Sequence, residues 1–442
     1  MKLKLYKHQQ KLVDLNPAKY LLPWETGTGK TFGLVGLIKK NNVINEPVLI
    51  ITIKSDKYKW VNIIKEFGIN ADVMSKEEFK KEIIYNYTKK VYDTVSKEIL
   101  EVKKTTPRPA QFKKYEYVIV DEAHFFAGLK SMMYKSLLAY LKFYNSKFVW
   151  LATATPYPGN PWNLFCFFQL LGFNRDYKRF RNHFFEYSFK AGGNYVKKEI
   201  VNNRPIEKEI AAYINFLGKA IKIEECVDMP PKILIKEYFE LTPEQKKAFK
   251  EIREDLILTR NLRWHQICGG TLHKVEKDLE TGEIIKEENL FFKSQKLNRI
   301  IELCEEHKKI FIVCKYQNEV DYIENTIKNK IKGRTILKFT GKNSQNRSQE
   351  AKSTDLMSEC IVIANAACSA AYECKTINLM VFYSYDFSLV NYTQIIGRIR
   401  RLNSLAQKTY LSLIIKDSID EDVYECIQDK KSFDVEIYHR EI

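Results

Sequence analysis

The sequence lacks the cysteine pairs and the long apolar runs on which zinc-binding and membrane-spanning proteins depend. Its nine cysteines lie singly, and no two of them form a C-x-x-C pair. This spacing argues against a disulfide framework and against structural zinc, and it is typical of a reducing compartment. No stretch approaches about 18 uninterrupted apolar residues, and the N-terminus has no apolar run of signal-peptide length. We therefore expect a cytoplasmic protein without a membrane span.

Acidic residues are outnumbered by basic ones. Lys and Arg number 72 against 55 Asp and Glu, which gives a net charge of +17 at pH 7. A balance this basic favours a polyanionic partner, nucleic acid first and an acidic membrane surface second, although a Lys-rich solvated surface would give the same number. At 442 residues, 45% of them hydrophobic, the chain is long enough for two or three domains.

Short apolar runs alternate with helical stretches along the chain. The predicted strands cover residues 48–53, 117–120, 148–151, 310–313, 361–364, 380–383 and 411–415. Near-continuous apolar strands separated by helices are the signature of parallel sheets covered on both faces. The strands form one group before residue 160 and another after residue 305. The sequence therefore predicts two α/β domains, 1–225 and 226–442, joined near the helix-breaking Met229-Pro230-Pro231.

Three less regular segments are expected to extend these domains. Residues 76–114 are charged and predict helices plus a loop around Pro107 and Pro109. Residues 174–220 are basic, aromatic and helix-prone. Polar and apolar residues alternate on both sides of Gly282, and this pattern predicts a β-hairpin over 273–292 that projects from the second domain.

The segment WETGTGKT, residues 24–31, ends like a phosphate-binding loop but has Trp24 where the strict pattern has its first glycine. Residues 20–22 can form a strand and residues 32–40 a helix, which is the context that the motif requires. Glycines in the loop let backbone N–H groups face phosphate, and the helix N-terminus adds positive potential. Lys30 would then reach the β- and γ-phosphates, and the Thr31 hydroxyl would bind Mg²⁺. An ordinary glycine-rich turn is the competing interpretation. The nucleotide-binding residues predicted in this loop are Gly27, Thr28, Gly29, Lys30 and Thr31.

A second motif follows the predicted strand 117–120, which ends in Asp121 and Glu122. Asp121 is placed to hold Mg²⁺ through water, and Glu122 to orient and polarise the attacking water. A lone Asp-Glu pair after a strand is usually a solvated strand end. Here the pair comes after a phosphate-binding loop in the order that an ATPase core requires, which favours the catalytic interpretation.

The succession of G-T-G-K-T and D-E-A-H (121–124) resembles the superfamily 2 helicases and translocases. LATATP (151–156) resembles motif III of that group, and the resemblance implies that Thr153 and Thr155 couple the nucleotide state to the nucleic-acid track. QIIGRIRR (394–401) resembles motif VI. That resemblance implies a catalytic Gln394 and arginine fingers Arg398 and Arg401, which stabilise charge on the transferred phosphoryl group, with Arg400 less clearly assigned. Since the first loop position need not be glycine in this group, we expect Trp24 to pack at the end of its strand.

The finer resemblance is to the Snf2-like branch, and it covers nearly the whole chain. LYKHQ (5–9) places Gln9 where that family recognises adenine, and "DMPPK" (228–232) is similar to its bridge into the second domain. Further similar segments are 160–173, 239–249, 294–304 and 417–431, the last similar to a closing brace helix. The resemblance implies two RecA-like domains in tandem with ATP in the cleft between them. Compact phage-encoded branch-migration and fork-unwinding helicases are the most similar group, which would place the protein in the host-cell cytoplasm. The motif V segment, 365–373, departs from the family because it has no glycine, so its loop conformation is not predicted.

Several residues are candidates for contacts with nucleic acid. The resemblance places Lys54 and Ser55 at motif Ia and Ser75 in a later loop that contacts the track. Phosphate contacts of this kind are independent of base sequence and sensitive to salt. A basic and aromatic patch predicts a duplex-gripping surface, with an amphipathic helix as the alternative; its cations are Arg175, Lys178, Arg179 and Arg181. Trp60 is expected in the core rather than stacked on a base. The Gly282 hairpin is either a wedge that separates DNA strands or a surface hairpin without a role in strand separation.

These patterns together predict a monomeric ATP- and Mg²⁺-dependent DNA helicase or translocase that unwinds or branch-migrates forked or junction DNA. One alternative is a Snf2-type duplex translocase that remodels protein–DNA complexes without strand separation. An RNA helicase is a further alternative, since phosphate contacts alone do not distinguish the two sugars. A nucleic-acid-binding module with a dead ATPase is disfavoured because Lys30, Asp121 and Arg398 are all intact.

Overall fold

The computed structural model describes residues 3–41, 46–92, 99–189, 196–200, 206–252, 256–277, 284–341, 347–368, 372–404 and 406–429. The chain divides into two compact units, Met1–Cys226 and Val227–Ile442. Each unit is built around a parallel sheet with helices packed on it, so the predicted α/β class is confirmed.

The first unit has a five-stranded parallel sheet in the order β1-β7-β6-β2-β3. Its elements are α1 (Lys7–Leu15), β1 (Lys19–Leu22), α2 (Lys30–Lys40), β2 (Val48–Thr52), α3 (Lys57–Phe67), β3 (Ala71–Ser75), α4 (Lys76–Ile83), β4 (Ile84–Tyr92), β5 (Ile99–Pro107), β6 (Tyr117–Asp121), α5 (Met132–Tyr144), β7 (Phe148–Ala152), α6 (Trp162–Leu170), α7 (Tyr177–Phe184), β8 (Phe185–Phe189), β9 (Val196–Ile200) and α8 (Ile206–Leu217).

The central strands of this sheet are buried on both faces. In β2, Leu49 and Ile51 belong to the core on one side of the sheet, whereas Val48 and Ile50 belong to the core on the other. All five residues of β2 and of β7 are buried. This double burial explains why the strands show continuous apolar runs rather than an alternation of apolar and polar residues.

Two antiparallel hairpins extend the first unit where helices were expected. Strands β4 and β5 pair from Ile84 with Pro107 to Tyr92 with Ile99, so the helical prediction for 76–114 holds only for α4. The β4 sequence IYNYTKKVY is rich in aromatic and β-branched residues, which favour strands despite its lysines. Pro107 ends β5, and Pro109 starts a 3₁₀ turn, as the prolines indicate. In the basic segment, α7 and α8 flank a second hairpin, β8–β9.

The second unit has a six-stranded parallel sheet in the order β10-β17-β16-β13-β15-β14. Its elements are β10 (Ile233–Phe239), α9 (Pro243–Glu251), α10 (Ile257–Cys268), β11 (Thr271–Lys277), β12 (Ile284–Phe291), α11 (Gln295–Glu306), β13 (Lys309–Cys314), α12 (Gln317–Lys330), β14 (Ile336–Phe339), α13 (Arg347–Ser353), β15 (Cys360–Asn365), β16 (Leu379–Phe382), α14 (Leu389–Ile396), β17 (Thr409–Ile415) and α15 (Ile419–Gln428).

All seven predicted strands are present, three of them in the first sheet and four in the second. The predicted hairpin is also confirmed, because β11 and β12 pair antiparallel. Gly282 lies outside the described residues. Along the described parts of the chain, no helix is both long enough and apolar enough to cross a membrane.

The core of the second unit contains a cluster of buried ionisable side chains. The Lys296 ammonium lies 3.0 Å from Asp420 Oδ2, and His265 Nε2 lies 3.5 Å from the other oxygen of the same carboxylate. Burial raises the pKa of Asp420, but Lys296, His265 and the Ile415 N–H lower it more, and the result is a pKa of about 2. The cluster therefore ties α10, α11 and α15 together through one ionised carboxylate. Removing one partner from such a buried cluster destabilises the fold far more than removing one partner from an exposed ion pair.

Candidate nucleotide site and nucleic-acid interface

The sequence motifs of the first unit meet at one edge of its sheet. Leu22 at the end of β1 lies opposite Ala152 at the end of β7, and Ala152 lies opposite Asp121 at the end of β6. Because the strands are parallel, the loops that follow them leave the sheet side by side. The predicted phosphate-binding loop (residues 24–31), the Thr153 segment and the Asp121-Glu122 pair are thus neighbouring loops at the carboxyl edge, where open α/β sheets bind ligands.

The phosphate-binding loop uses two glycines in a conformation that other residues rarely adopt. Gly27 has φ +85° and Gly29 has φ +77°. A side chain at either position would strain the left-handed backbone. Gly29 is also the N-cap residue directly before α2, so backbone N–H groups of the first helical turn and the positive end of the helix dipole lie next to the loop.

Two polar side chains of the loop donate hydrogen bonds to its own backbone. The Lys30 ammonium donates to the carbonyl oxygens of Trp24 at 3.0 Å and of Glu25 at 3.3 Å. The Thr28 hydroxyl donates to the Glu25 carbonyl oxygen at 2.8 Å, and its side chain is fully buried. Thr31 is 8% exposed. Thr28 therefore shapes the loop, whereas the ammonium of Lys30 lies along the loop's own backbone.

Helix α1 lies against the phosphate-binding loop through two adjacent side chains. Gln9 Nε2 donates to the Gly29 carbonyl oxygen at 3.0 Å, and its Oε1 accepts the Tyr6 N–H at 2.9 Å. His8 Nε2 lies 2.9 Å from the Thr28 carbonyl oxygen, and burial lowers the His8 pKa. Sequence reasoning identified Gln9 but missed His8, for which the only signal was its place beside Gln9. The adenine contact expected of Gln9 stays a prediction.

The tryptophan in the loop packs as expected. Trp24 is 1% exposed and belongs to the core around α2 and β1. A methyl group at Gly33 would lie 3.1 Å from its ring, so the glycine makes room for the indole. The neighbouring Glu25 bonds to a distant segment: its N–H donates to the Ile221 carbonyl oxygen, and its carboxylate accepts the Ile223 N–H, each at 2.9 Å. The loop is therefore fastened to residues close to the unit boundary.

The carboxylate of Asp121 is fixed by two hydrogen bonds. Oδ2 accepts the indole N–H of Trp60 at 2.9 Å, and Oδ1 accepts the Glu122 N–H at 3.1 Å. Trp60 is fully buried, which confirms its prediction as a core residue. Its bond to Asp121 was not predicted, because the two residues are far apart in sequence and no local pattern links them.

A chain of polar contacts connects Glu122 to the Thr153 segment. Glu122 has φ +52°, an unusual backbone conformation for a residue other than glycine. His124 Nδ1 lies 3.3 Å from Glu122 Oε2 and 3.1 Å from Thr153 Oγ1, which in turn accepts the Thr155 N–H at 3.1 Å. Burial, with smaller effects of Lys76 and Lys30, lowers the pKa of His124 to about 3, so its ring is neutral at pH 7. His124 belongs to the D-E-A-H motif, but the sequence alone predicted no role for it.

The oxygen donors at this edge suit a magnesium ion. The Thr31 hydroxyl and the Asp121 carboxylate are hard oxygen ligands, and Mg²⁺ characteristically keeps waters and takes one or two protein oxygens together with substrate phosphates. Among the described residues, no group of three or more His, Cys, Asp or Glu side chains is arranged to hold a metal ion. The donor set therefore fits a metal held jointly with a nucleotide rather than a site made by the protein alone.

The motif VI residues lie on α14 and the turn after it in the second unit. Gln394 and Arg398 are buried, and Arg398 donates to the carbonyl oxygens of Gln394 and Tyr372, each at 3.0 Å. Arg401 Nε lies 3.3 Å from Glu373 Oε1. Arg400, which the motif left open, donates to the Pro230 carbonyl oxygen at 3.2 Å. The finger roles of Arg398 and Arg401 remain predictions.

The residues expected to contact nucleic acid differ in their exposure. Lys54 and Ser55 are exposed in a 3₁₀ turn directly after β2. Ser75 is 3% exposed, and its hydroxyl accepts the Glu78 N–H at 3.2 Å while Glu78 Oε2 accepts the Ser75 N–H at 2.8 Å. Ser75 thus forms the capping box of α4, and its hydroxyl is already engaged.

Helix α7 is amphipathic, as the alternative interpretation of the basic and aromatic patch predicted, and the duplex-gripping role stays a prediction. Phe180 and Phe184 are buried in an aromatic cluster with Trp162, whereas Lys178 and Arg179 are exposed. Arg175 is also exposed, Arg181 is half-buried, and the Arg175 guanidinium lies 4.4 Å from the centre of the Phe168 ring. A groove of about 540 Å³ runs along this face, lined by Asn174, Arg175, Asp176, Arg179, Phe180, His183, Phe184 and Tyr213. The aromatics form the core, and the cations face solvent.

Comparison with known proteins identifies the family. The SNF2-related domain matches residues 12–338, and the helicase conserved C-terminal domain matches residues 293–403. The chain belongs to the SNF2-related domain family. Its Snf2-like resemblance is thereby confirmed at the level of the family.

Curated relatives of this SNF2-related chain are much longer than the chain itself. Protein CHROMATIN REMODELING 5 of Arabidopsis thaliana is 22% identical over 472 residues, which cover 95% of the chain and 26% of that protein. The uncharacterized ATP-dependent helicase MG018 of Mycoplasma genitalium is 22% identical over 438 residues, which cover 93% of the chain and 39% of that protein. Among solved structures, the Sulfolobus solfataricus SWI2/SNF2 ATPase core in complex with dsDNA has a TM-score of 0.39 and 17% identity, covering 97% of the chain and 92% of that structure.

Proposed function

We propose that this SNF2-related protein is an ATP- and Mg²⁺-dependent motor that moves along DNA. The observation that carries the proposal is the meeting of three loops at one sheet edge: the glycine loop with Lys30, the Asp121-Glu122 pair, and the Thr153 segment. An ATPase needs a phosphate cradle, a metal ligand and a group that orients water, and each has a candidate here.

Each residue at this sheet edge has its own role in the proposed hydrolysis of ATP. Lys30 binds the β- and γ-phosphates, and charged phosphate oxygens attract its ammonium more strongly than the neutral carbonyls of Trp24 and Glu25 do. Thr31 and Asp121 hold Mg²⁺, which neutralises charge on the phosphates when it is bound. Glu122 orients and polarises the attacking water. For motif VI we propose charge stabilisation on the transferred phosphoryl group by Arg398 and Arg401, with Gln394 beside them.

The polar chain from Glu122 through His124 to Thr153 provides a route from chemistry to movement. The neutral ring of His124 contacts the Glu122 carboxylate, which polarises the attacking water in this proposal. It also contacts the Thr153 hydroxyl, which accepts the Thr155 N–H. A change in Glu122 during hydrolysis therefore alters the hydrogen bonding of the Thr153 segment. We propose that this segment passes the nucleotide state to the surface that grips nucleic acid.

The proposed DNA surface of the first unit includes Lys54 and Ser55 at the carboxyl edge and the exposed cations of α7. Ser75 is a weaker candidate, since it is 3% exposed and both its hydroxyl oxygen and its backbone N–H take part in capping α4. We propose that the motor unwinds or branch-migrates forked or junction DNA, as the resemblance to phage-encoded helicases implies. The second candidate is duplex translocation that remodels protein–DNA complexes, which the name of the Arabidopsis relative favours.

Two substitutions test the ATPase. Lys30→Ala removes the ammonium from the phosphates, and Glu122→Gln keeps the side-chain shape but removes the carboxylate that polarises water. We expect both variants to fold, with an unchanged far-UV circular dichroism spectrum, and to lose DNA-stimulated ATP hydrolysis by roughly 100-fold or more. Undiminished turnover in either variant would refute the assignment.

A comparison of DNA substrates separates the two candidate functions. ATP-dependent release of a labelled strand from forks or four-way junctions supports unwinding or branch migration. Displacement of a triplex-forming strand from duplex DNA, without release from forks, supports duplex translocation. ATPase stimulation by RNA of matched sequence would instead favour an RNA substrate.

A further inference from the structure

We infer that Trp60 is a positioning residue for the metal-binding carboxylate of Asp121. This inference rests on the proposed function, since it concerns how the ATPase site holds its metal ion. No sequence motif assigned Trp60 such a role, and it lies on α3 rather than in any of the three loops.

The geometry joins a helix to the end of a strand through one hydrogen bond. The Trp60 indole N–H donates to Asp121 Oδ2 at 2.9 Å, and both side chains are buried. A hydrogen bond to an ionised acceptor is roughly twice as strong as a neutral one, and low exposure to water strengthens it further. The bond fixes the orientation of the carboxylate about its χ2 axis, because Oδ1 is held at the same time by the Glu122 N–H.

The bond leaves the carboxylate able to serve a metal ion. An ionised carboxylate has about four lone-pair sites, and the two described hydrogen bonds occupy two of them. The remaining sites can accept hydrogen bonds from metal-bound water. When a residue that hydrogen-bonds to a metal ligand is removed, the metal affinity typically falls by about 10- to 100-fold.

The same core contains a matched tryptophan that holds no carboxylate. Trp150 on β7 is fully buried in the same cluster as Trp60, and its indole N–H donates to the Pro17 carbonyl oxygen at 2.8 Å. A buried indole therefore finds a backbone acceptor where only packing is needed. Trp150→Phe is the control for the loss of one buried indole N–H without any effect on Asp121.

The test compares Trp60→Phe with Trp150→Phe. Binding of Mn²⁺ in the presence of ADP is measured by electron paramagnetic resonance, and the Mg²⁺ concentration for half-maximal ATP hydrolysis is measured alongside it. We expect Trp60→Phe to weaken Mn²⁺ binding by about 10-fold and to raise the half-maximal Mg²⁺ concentration equally, with turnover largely restored at saturating Mg²⁺. Trp150→Phe should change neither quantity, whatever its effect on the melting temperature.

Equal metal affinity in Trp60→Phe and the wild-type protein would overturn the inference, and so would an equal loss in both variants. If Trp60→Phe does not fold, benzothienylalanine at position 60 preserves the two-ring shape without the N–H and should give the same 10-fold loss. Wild-type protein that binds Mn²⁺ with ADP but does not respond to DNA would refute the proposed motor and leave the Trp60 result to stand on its own. Wild-type protein that binds no metal with ADP would overturn both.

Discussion

At the scale of single residues, Glu319 in the second unit is unusual because it is a carboxyl group fully buried in the core. Its Oε2 accepts the N–H groups of Lys315 and Tyr316 and the hydroxyl of Ser384. Burial raises the pKa of Glu319 to about 7, against the lowering effect of the Ser384 and Tyr316 bonds. The side chain is thus neutral in the folded protein over a pH range in which it is ionised in the unfolded chain.

That difference predicts a specific dependence of stability on pH. Between about pH 4.5 and 7 the folded state holds one more proton at Glu319 than the unfolded state, so the free energy of unfolding falls as the pH rises through this range. The full effect is up to about 3 kcal/mol. Glu319→Gln keeps an oxygen acceptor and cannot ionise. We expect urea denaturation to show the variant gaining stability relative to wild type on going from pH 5 to pH 8.

The comparison with wild type isolates Glu319 from its titrating neighbours. Burial lowers the pKa of His265, which makes stability fall as the pH drops below about 6.5, opposite to the effect of Glu319. Since His265 is present in both proteins, its contribution cancels in the difference. Glu305→Gln, at an exposed position on α11, is the control and should give parallel curves. Parallel curves for Glu319→Gln would show that Glu319 is ionised in the folded protein.

The motif residues could be predicted because each motif is a short local pattern. A glycine loop before a helix and two carboxylates after an apolar strand are visible within a few residues of sequence. Their partners could not be predicted in this way, because Trp60 meets Asp121, and His8 meets Thr28, only through the fold. Local patterns therefore identify the chemical groups, while packing decides which side chains hold them.

At the scale of elements, the close packing of α1 against α2 predicts a sensitive position at Gly36. An added methyl group there would lie 2.5 Å from Val13 Cγ2 and 3.2 Å from Leu5 Cδ1. Overpacking costs about 1–3 kcal/mol, which a gain of up to about 1 kcal/mol in helix propensity only partly offsets. We expect Gly36→Ala to lower the free energy of unfolding by up to about 2 kcal/mol and to weaken ADP binding, because α1 carries His8 and Gln9 to the phosphate-binding loop.

A second substitution shows whether the contact itself is responsible. Val13→Ala removes the methyl group that the new side chain would meet. We expect the double variant Gly36→Ala/Val13→Ala to lose less stability than the sum of the two single variants, as chemical denaturation can measure. Additive losses would mean that Gly36→Ala acts through the local helix and not through α1.

The parallel strands were predictable as elements, but the hairpins of the first unit were not. A strand buried on both faces shows an uninterrupted apolar run, as in β2 and β7. Strand β4 mixes lysines with aromatic and β-branched residues, so its composition is that of either a charged helix or an exposed strand. Strand β10 was not predicted for a related reason, because it is largely exposed at the edge of its sheet.

At the scale of the whole molecule, the net charge of +17 predicts salt-sensitive binding to DNA, but charge alone does not say where the DNA lies. Helix α7 presents Lys178 and Arg179 to solvent, while Lys135 and Lys142 are exposed on α5 of the same unit. Reversing either pair to glutamate replaces two charges of +1 by two of −1 and lowers the net charge by four, from +17 to +13. The two double variants therefore change the net charge equally but at different places.

We expect Lys178→Glu/Arg179→Glu to weaken binding to duplex and forked DNA. The dependence of affinity on salt should also become shallower, by about one unit of slope for each phosphate that the protein no longer neutralises. Fluorescence anisotropy across a series of salt concentrations measures both effects. If the cations of α7 bind the phosphates, Lys135→Glu/Lys142→Glu should lower affinity only slightly and leave the slope unchanged, because the slope counts only the phosphates that the protein neutralises. If both variants lose affinity equally, the basic surface attracts DNA only as a whole. A loss of affinity confined to the α7 variant would mean that the outward-facing cations of α7 bind DNA phosphates, while its inward-facing aromatic side chains pack in the core.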